Sequence, residues 1–230
     1  MRVSTVVLAF CSIVYELLLA QSLSTTLGNT VLRYNLTIGL YVASLGVGAL
    51  LYRAFGDVSV KRLIKIEWLL ACCGALGPLF IVVFDGLMHD LPQGIEYRDP
   101  AVQTVLWLVN HFLIVWIGFL SGFELPLLID LARKIHQIKF STILAADYLG
   151  TLIGAVLFPL WLLSTLGLFA TAILVAMANT GVSLWLWRRY EPQLPLAFWW
   201  PGPLIFMVLL VLFYFQVELL DLVRYLYFPS

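Results

Sequence analysis

Apolar residues run along this chain in blocks of about twenty, each interrupted by a short polar or turn-forming stretch. A helix rising about 1.5 Å per residue needs roughly 20 residues to cross a hydrocarbon layer about 30 Å thick. The pattern therefore predicts seven spanning helices, over approximately 3–25, 34–54, 64–84, 102–131, 142–163, 167–187 and 198–217. The fourth block is long and is expected to tilt or to run past the membrane. The connections leave no room for a second folded unit, and the Pro-rich stretch from Glu191 to Pro203 reads as a loop before the last helix. The expected architecture is all-α, a polytopic transmembrane helix bundle, with residues 1–230 as one domain and 191–230 as a last helix and amphipathic tail.

Composition agrees with that pattern. Hydrophobic residues make up 62% of the chain and charged residues 11%, far from the roughly 25% charged of soluble domains. Thirteen basic and thirteen acidic residues balance, so the chain lacks the basic excess that neutralises phosphates, and nucleic acid is excluded as a partner. Cys11, Cys72 and Cys73 lie inside apolar runs without a CxxC pair, and His89, His111 and His136 are scattered. This is the pattern of apolar packing residues, not of a metal site, and nothing suggests haem, flavin or another cofactor. The first twenty residues imitate a secretory signal, but Glu16 interrupts the apolar core such a signal needs, so the segment reads as a retained first helix. Asn35-Leu36-Thr37 matches a glycosylation acceptor, but it sits at the start of the second helix and reads as accidental.

Orientation follows from the basic residues, because Lys and Arg near helix ends favour the cytoplasmic side. Arg53, Lys61, Arg62 and Lys65 bracket the second connection, Arg133, Lys134 and Lys139 the fourth, and Arg188 and Arg189 the sixth. The third instead holds Asp85, Asp90, Glu96 and Asp99 against Arg98. Counting Arg2, ten of the thirteen basic residues fall on one side if the N-terminus is cytoplasmic and the C-terminus external. Trp185, Trp187, Trp199 and Trp200 flank the last connection, where indole rings favour the headgroup level. The tail from Glu218 to Ser230 is amphipathic enough to lie along the interface. A re-entrant last helix would return the C-terminus to the cytoplasm.

Carboxylates inside apolar spans carry the functional signal, since one at the bilayer centre costs about 2.5–3.5 kcal/mol on insertion scales and is expected to face a cavity or partner. Glu16, Glu124 and Asp147 fall well inside, without an adjacent base. Glu67 lies near a predicted helix end and is expected to snorkel or to pair with Lys65 or a neighbouring headgroup. The segment YELLLAQ from Tyr15 resembles FELPLLI from Phe123, placing Glu16 and Glu124 in register 108 positions apart, and the same offset aligns Gly46 with Gly154. Units 1–90 and 101–190 would then be inverted three-helix repeats, an arrangement whose sites lie at the repeat interface in secondary transporters. Pro126 removes a helix hydrogen bond beside Glu124 and frees a carbonyl there, for a cation site or for packing alone. Asn110 and His111 either line the same cavity or bond across helices. The glycines in ASLGVGALL from Ala43 and DYLGTLIGAVLFP from Asp147 read as close helix contacts.

Three stretches bear a family resemblance: CSIVYELLLAQSLSTTLGNTVLRYNLTIGLYVASLGVGALLY from Cys11 to Tyr52, GFELPLL from Gly122 to Leu128, and AADYLGTLIGAVLFPLWLLSTLGL from Ala145 to Leu168. Together they cover nearly half the chain. It resembles the membrane-embedded N-terminal region of bacterial polyamine aminopropyltransferases, spermidine synthase-like proteins that carry transmembrane helices. The resemblance implies a cytosolic Rossmann-like domain that transfers an aminopropyl group from decarboxylated S-adenosylmethionine to a diamine. This sequence ends at Ser230 before any such domain, so the family's catalytic residues find no positions here and no enzyme activity is expected of the chain alone.

The expected function is a non-catalytic membrane module of the bacterial inner membrane that binds a small cationic amine or anchors a soluble aminopropyltransferase. Glu16, Glu124 and Asp147 would supply negative charge, Tyr15 and Tyr148 aromatic faces for the cation, and Asn110 and His111 further polar contacts. The alternatives are a secondary transporter of polyamines, enclosing its path as a homo-oligomer, and a structural subunit of a larger membrane complex. The lipid bilayer is a partner under all three.

Overall fold

The computed structural model describes residues 1–26, 30–89, 100–191, 200–218 and 220–221, and the regular structure among them is helical. In chain order the helices are α1 (Arg2–Thr26), α2 (Thr30–Leu51), α3 (Val60–His89), α4 (Pro100–Ser121), α5 (Glu124–His136), α6 (Phe140–Leu157), a π-helical segment (Phe158–Leu166), α7 (Gly167–Tyr190) and α8 (Pro201–Tyr214). Among the described residues, five helical stretches are long and apolar enough to cross a membrane: Arg2–Thr25, Tyr34–Leu51, Val60–Gly86, Trp107–His136 and Phe140–Tyr190.

Close approaches at small residues fix the helix directions. Gly150 of α6 abuts the Val6 carbonyl and Gly154 abuts Ile13 and Phe10, so contacts advance together and α6 runs parallel to α1. Gly118 meets Tyr41 and Ser44, and Gly122 meets Leu45 and Gly48, so α4 runs parallel to α2. The Asn179 amide of α7 donates to the Glu67 carbonyl of α3 at 3.3 Å, while Ala71 and Ala75 pack with Ile173 and Ala176, an antiparallel pair. α1 is the centre of the bundle: its most apolar window is 61% buried, against 22% for that of α2.

Several boundaries depart from the apolar pattern, each for a local reason. The fourth block is not one helix: a turn at Gly122 and Phe123 divides α4 from α5. Pro126 has no amide hydrogen to give the Gly122 carbonyl, so the helix breaks there and restarts with Pro126 in the first turn of α5, where a missing donor costs nothing. Pro159 likewise opens α6 into the π-helical segment. Gly167, at φ +76°, then reverses the chain so that α7 returns against α1. The Thr171 hydroxyl clamps this reversal by donating to the Leu162 carbonyl at 3.0 Å. The last helix is shorter than expected: 14 residues in α8 span only about 21 Å. The acidic third connection around Asp90, Glu96 and Asp99, the indole of Trp199, and the end of the amphipathic tail lie outside the described residues.

The second, fourth and sixth connections meet at one end of the bundle. Arg53 forms a 2.9 Å ion pair with Asp130 of α5, the His136 ring at the end of α5 lies 2.9 Å from the Tyr190 hydroxyl at the end of α7, and the Met1 amine lies near Arg189. That end gathers the basic residues.

Candidate functional site

A cavity of about 520 Å³ lies between α1, α2, α5 and α6. Its inner wall carries Glu16 of α1, Glu124 of α5 and Asp147 of α6, the three carboxylates that stand out in the sequence. Glu16 and Glu124 are buried and Asp147 is half-buried. Its outer part is lined by Tyr52, Asp130, Arg133 and Phe140, so it runs inward from the basic end.

The turn at Gly122 sets this geometry. By ending α4 and restarting the helix at Glu124, it places that side chain at a helix N-terminus against the cavity, where the peptide dipoles favour a negative charge. Behind the wall, the Tyr41 hydroxyl donates to Ser121 Oγ at 2.8 Å and lies 3.2 Å from Ser12 Oγ, bracing α1, α2 and α4 together. At the mouth, Asp130 accepts hydrogen bonds from Tyr52 and Arg53. The bond to Asp130 holds the Arg53 guanidinium above its ordinary range.

The other expected site residues are placed elsewhere. Tyr15 is buried behind the wall with its ring against Gly74, and Tyr148 is 64% exposed on the outside of α6. Asn110 and His111 are buried on α4, with His111 Nδ1 held 2.6 Å from the Trp107 carbonyl, and neither lines the cavity. Gly46 and Gly154, aligned by the 108-residue offset, are not equivalent: Gly154 touches α1, whereas nothing lies within 4 Å of a Cβ on Gly46, and Gly48 makes the close contact in α2.

Glu67 does not snorkel. α3 begins at Val60, four residues before the predicted start, so Glu67 lies two turns inside, on the buried face with Leu63, Ile64 and Leu70. Its carboxyl neighbours Glu124. Ser12, Thr151, Ser121 and Tyr41 are further polar residues at the site that the search for intramembrane charge passes over. Ser12 precedes Glu16 by four residues and Thr151 follows Asp147 by four, the spacing that puts two side chains on one helix face, so that spacing is the signal that finds those two.

No family model matches this chain, and no solved structure matches it. Curated proteins do. The polyamine aminopropyltransferase of Leptospira interrogans is 30% identical over 185 residues, covering 80% of this chain and 34% of the relative. That of Oceanobacillus iheyensis is 34% identical over 192 residues, covering 81% and 35%. Its homologues are polyamine aminopropyltransferases. Polyamine aminopropyltransferase 2 of Ralstonia nicotianae is 30% identical over 196 residues, covering 83% of this chain and 36% of the relative. The chain spans about a third of the length of these aminopropyltransferases. The link read from Cys11–Tyr52, Gly122–Leu128 and Ala145–Leu168 therefore stands at the level of homology.

Proposed function

We propose that this chain is a membrane-spanning module of the polyamine aminopropyltransferase type that binds a small cationic amine between α1, α2, α5 and α6. The observation that carries this reading is that Glu16, Glu124 and Asp147, from three different helices, line one cavity. A diamine or polyamine carries ammonium groups spaced along a flexible apolar chain. Carboxylates on separate helices match that spacing, and the Ser12 and Thr151 hydroxyls add acceptors. An ammonium also supplies the counter-charge that carboxylates need in a low-dielectric interior. The names of the homologues support an amine as the ligand class.

Five long apolar helical stretches among the described residues support insertion in a bilayer. The gathering of basic residues at one end supports a cytoplasmic position for that end and for the N-terminus, in the inner membrane of a bacterium. The cavity then admits its amine from the cytoplasm. The same end is the face on which a soluble aminopropyltransferase partner would dock.

A secondary transporter is the second reading. Exchanging α1 with α4 and α2 with α6 turns the parallel α1–α6 pair into the parallel α2–α4 pair, as an inverted repeat requires. Uptake of labelled spermidine by vesicles holding this chain alone would favour it.

The amine site is tested by calorimetric titration of putrescine and spermidine into the purified full chain, beside the triple variant Glu16→Gln, Glu124→Gln, Asp147→Asn. Saturable binding lost in the variant is expected. Absence of binding to the wild type, or equal binding to both proteins, rejects the reading.

A further inference from the structure

A second polar group is sealed behind the cavity wall. Glu67 of α3 is completely buried, with Glu124 of α5 and Asn179 of α7 beside it, and Tyr15 of α1 adjoins them. Both Glu67 carboxyl oxygens, the Tyr15 hydroxyl and the Asn179 amide oxygen make no hydrogen bond of ordinary geometry among the described residues. Buried polar atoms are rarely left in that state, so a group that satisfies them is to be expected there.

The surroundings say which group. Around the two carboxyls stand Cys11 and Tyr15 of α1, Tyr41 of α2, Asp147 of α6 and Asn179 of α7, with Glu16 of α1 across the cavity. All are acidic or neutral. His111 of α4 is remote, because α4 meets α3 at Gly77 through Leu113 and Ile117, more than two turns along from Glu67. The immediate neighbour of Glu67 is another carboxyl, and a carboxyl donates a hydrogen bond only when it carries a proton.

We infer that Glu67 and Glu124 form an occluded proton-binding pair, which shares one proton when the cavity is empty and releases it when a cationic amine binds against Glu124. Glu124 belongs to both groups: it lines the cavity on one side and neighbours Glu67 on the other. Before exchange the pair is two carboxyls and one proton, with a net charge of about −1. Afterwards it is two carboxylates and one ammonium, with the same net charge. The proton leaves through Glu124 and the cavity to solvent, and no bond other than its O–H is broken. Conserving charge matters because an unbalanced charge in a low-dielectric interior is costly. The exchange rests on the amine-binding reading, whereas the proton on the pair does not.

Two measurements on the purified full chain test this. Infrared spectra are expected to show a protonated-carboxyl band at neutral pH that is lost in Glu67→Gln. Putrescine titrations in two buffers of different ionisation enthalpy are expected to count about one proton released per amine bound, with affinity rising about tenfold per pH unit where the pair titrates. Glu67→Gln is expected to abolish the release and flatten the pH dependence. A wild type without the band overturns the proton pair. Saturable putrescine binding without proton release overturns the exchange while leaving the amine site in place. A band with no putrescine binding at all overturns the amine site and supports the proton pair alone. The wild-type proton count needs no variant, so a Glu67→Gln protein that fails to fold leaves the inference open to rejection.

Discussion

Tyr52 donates a 2.7 Å hydrogen bond to the same Asp130 oxygen that Arg53 reaches at 2.9 Å. The turn after α2 is thereby tied to α5 at the mouth of the cavity, while Arg62 holds the turn from the other side by donating to the Gly56 carbonyl at 2.7 Å. The Arg53 side chain is 72% exposed, and water screens an ion pair of that kind so that it adds little to stability.

Asp130→Asn is therefore expected to leave the melting temperature nearly unchanged. Thermal unfolding in detergent measures this. A large drop in melting temperature would mean that Asp130 supports the fold in a way its hydrogen bonds to Tyr52 and Arg53 do not explain.

Single replacements at the inner wall are expected to weaken putrescine binding. Glu16→Gln and Asp147→Asn should each raise Kd by roughly tenfold, which is about 1.4 kcal/mol. Glu218→Gln, on an exposed position far along the chain, serves as the control and should leave Kd unchanged. Equal Kd values for all four proteins would move the ligand out of this cavity.

Helix packing offers a test that does not depend on a ligand. A Cβ on Gly150 would meet the Val6 carbonyl, whereas a Cβ on Gly46 would meet nothing within 4 Å. Gly150→Val should cost about 1–3 kcal/mol by overpacking. Gly46→Ala should be neutral or slightly stabilising, because alanine is the better helix former. Thermal melts of the two variants compare them directly, and similar losses for both would contradict the α1–α6 contact.

The two ends of the bundle are expected on opposite sides of the membrane. Ala54 lies in the turn after α2 at the basic end, and Ser164 lies near the reversal at Gly167. In a background with Cys11, Cys72 and Cys73 replaced by Ala, Ala54→Cys should react with an impermeant maleimide only in inside-out vesicles. Ser164→Cys should react only from the outside of intact cells or spheroplasts. Labelling of both from one side would reject the topology.

Much of this fold is legible in the amino-acid pattern. Blocks of about twenty apolar residues locate the helices through α7, and Glu16, Glu124 and Asp147 stand out because charge is rare in such blocks. Prolines are harder to read, because their effect falls a turn away: Pro126 breaks the helix at Gly122, before the residue that causes it. The position of Glu67 is hidden because an apolar window passes over a helix start made of Val60, Lys61 and Arg62.

The sequence by itself determined the material: helices with apolar surfaces all round, small residues for close contact, and a few carboxylates with no base beside them. A one-dimensional pattern reports which residues are unusual, because their cost depends on the solvent around their own helix. It does not report which of them meet, because that depends on the rotation and direction of every helix. Only the tertiary structure placed Glu16, Glu124 and Asp147 around one cavity, left Tyr148 and His111 outside it, and set Glu67 against Glu124. Those outcomes follow from where Gly150, Gly122 and Gly48 let backbones touch and where Gly167 turns the chain back.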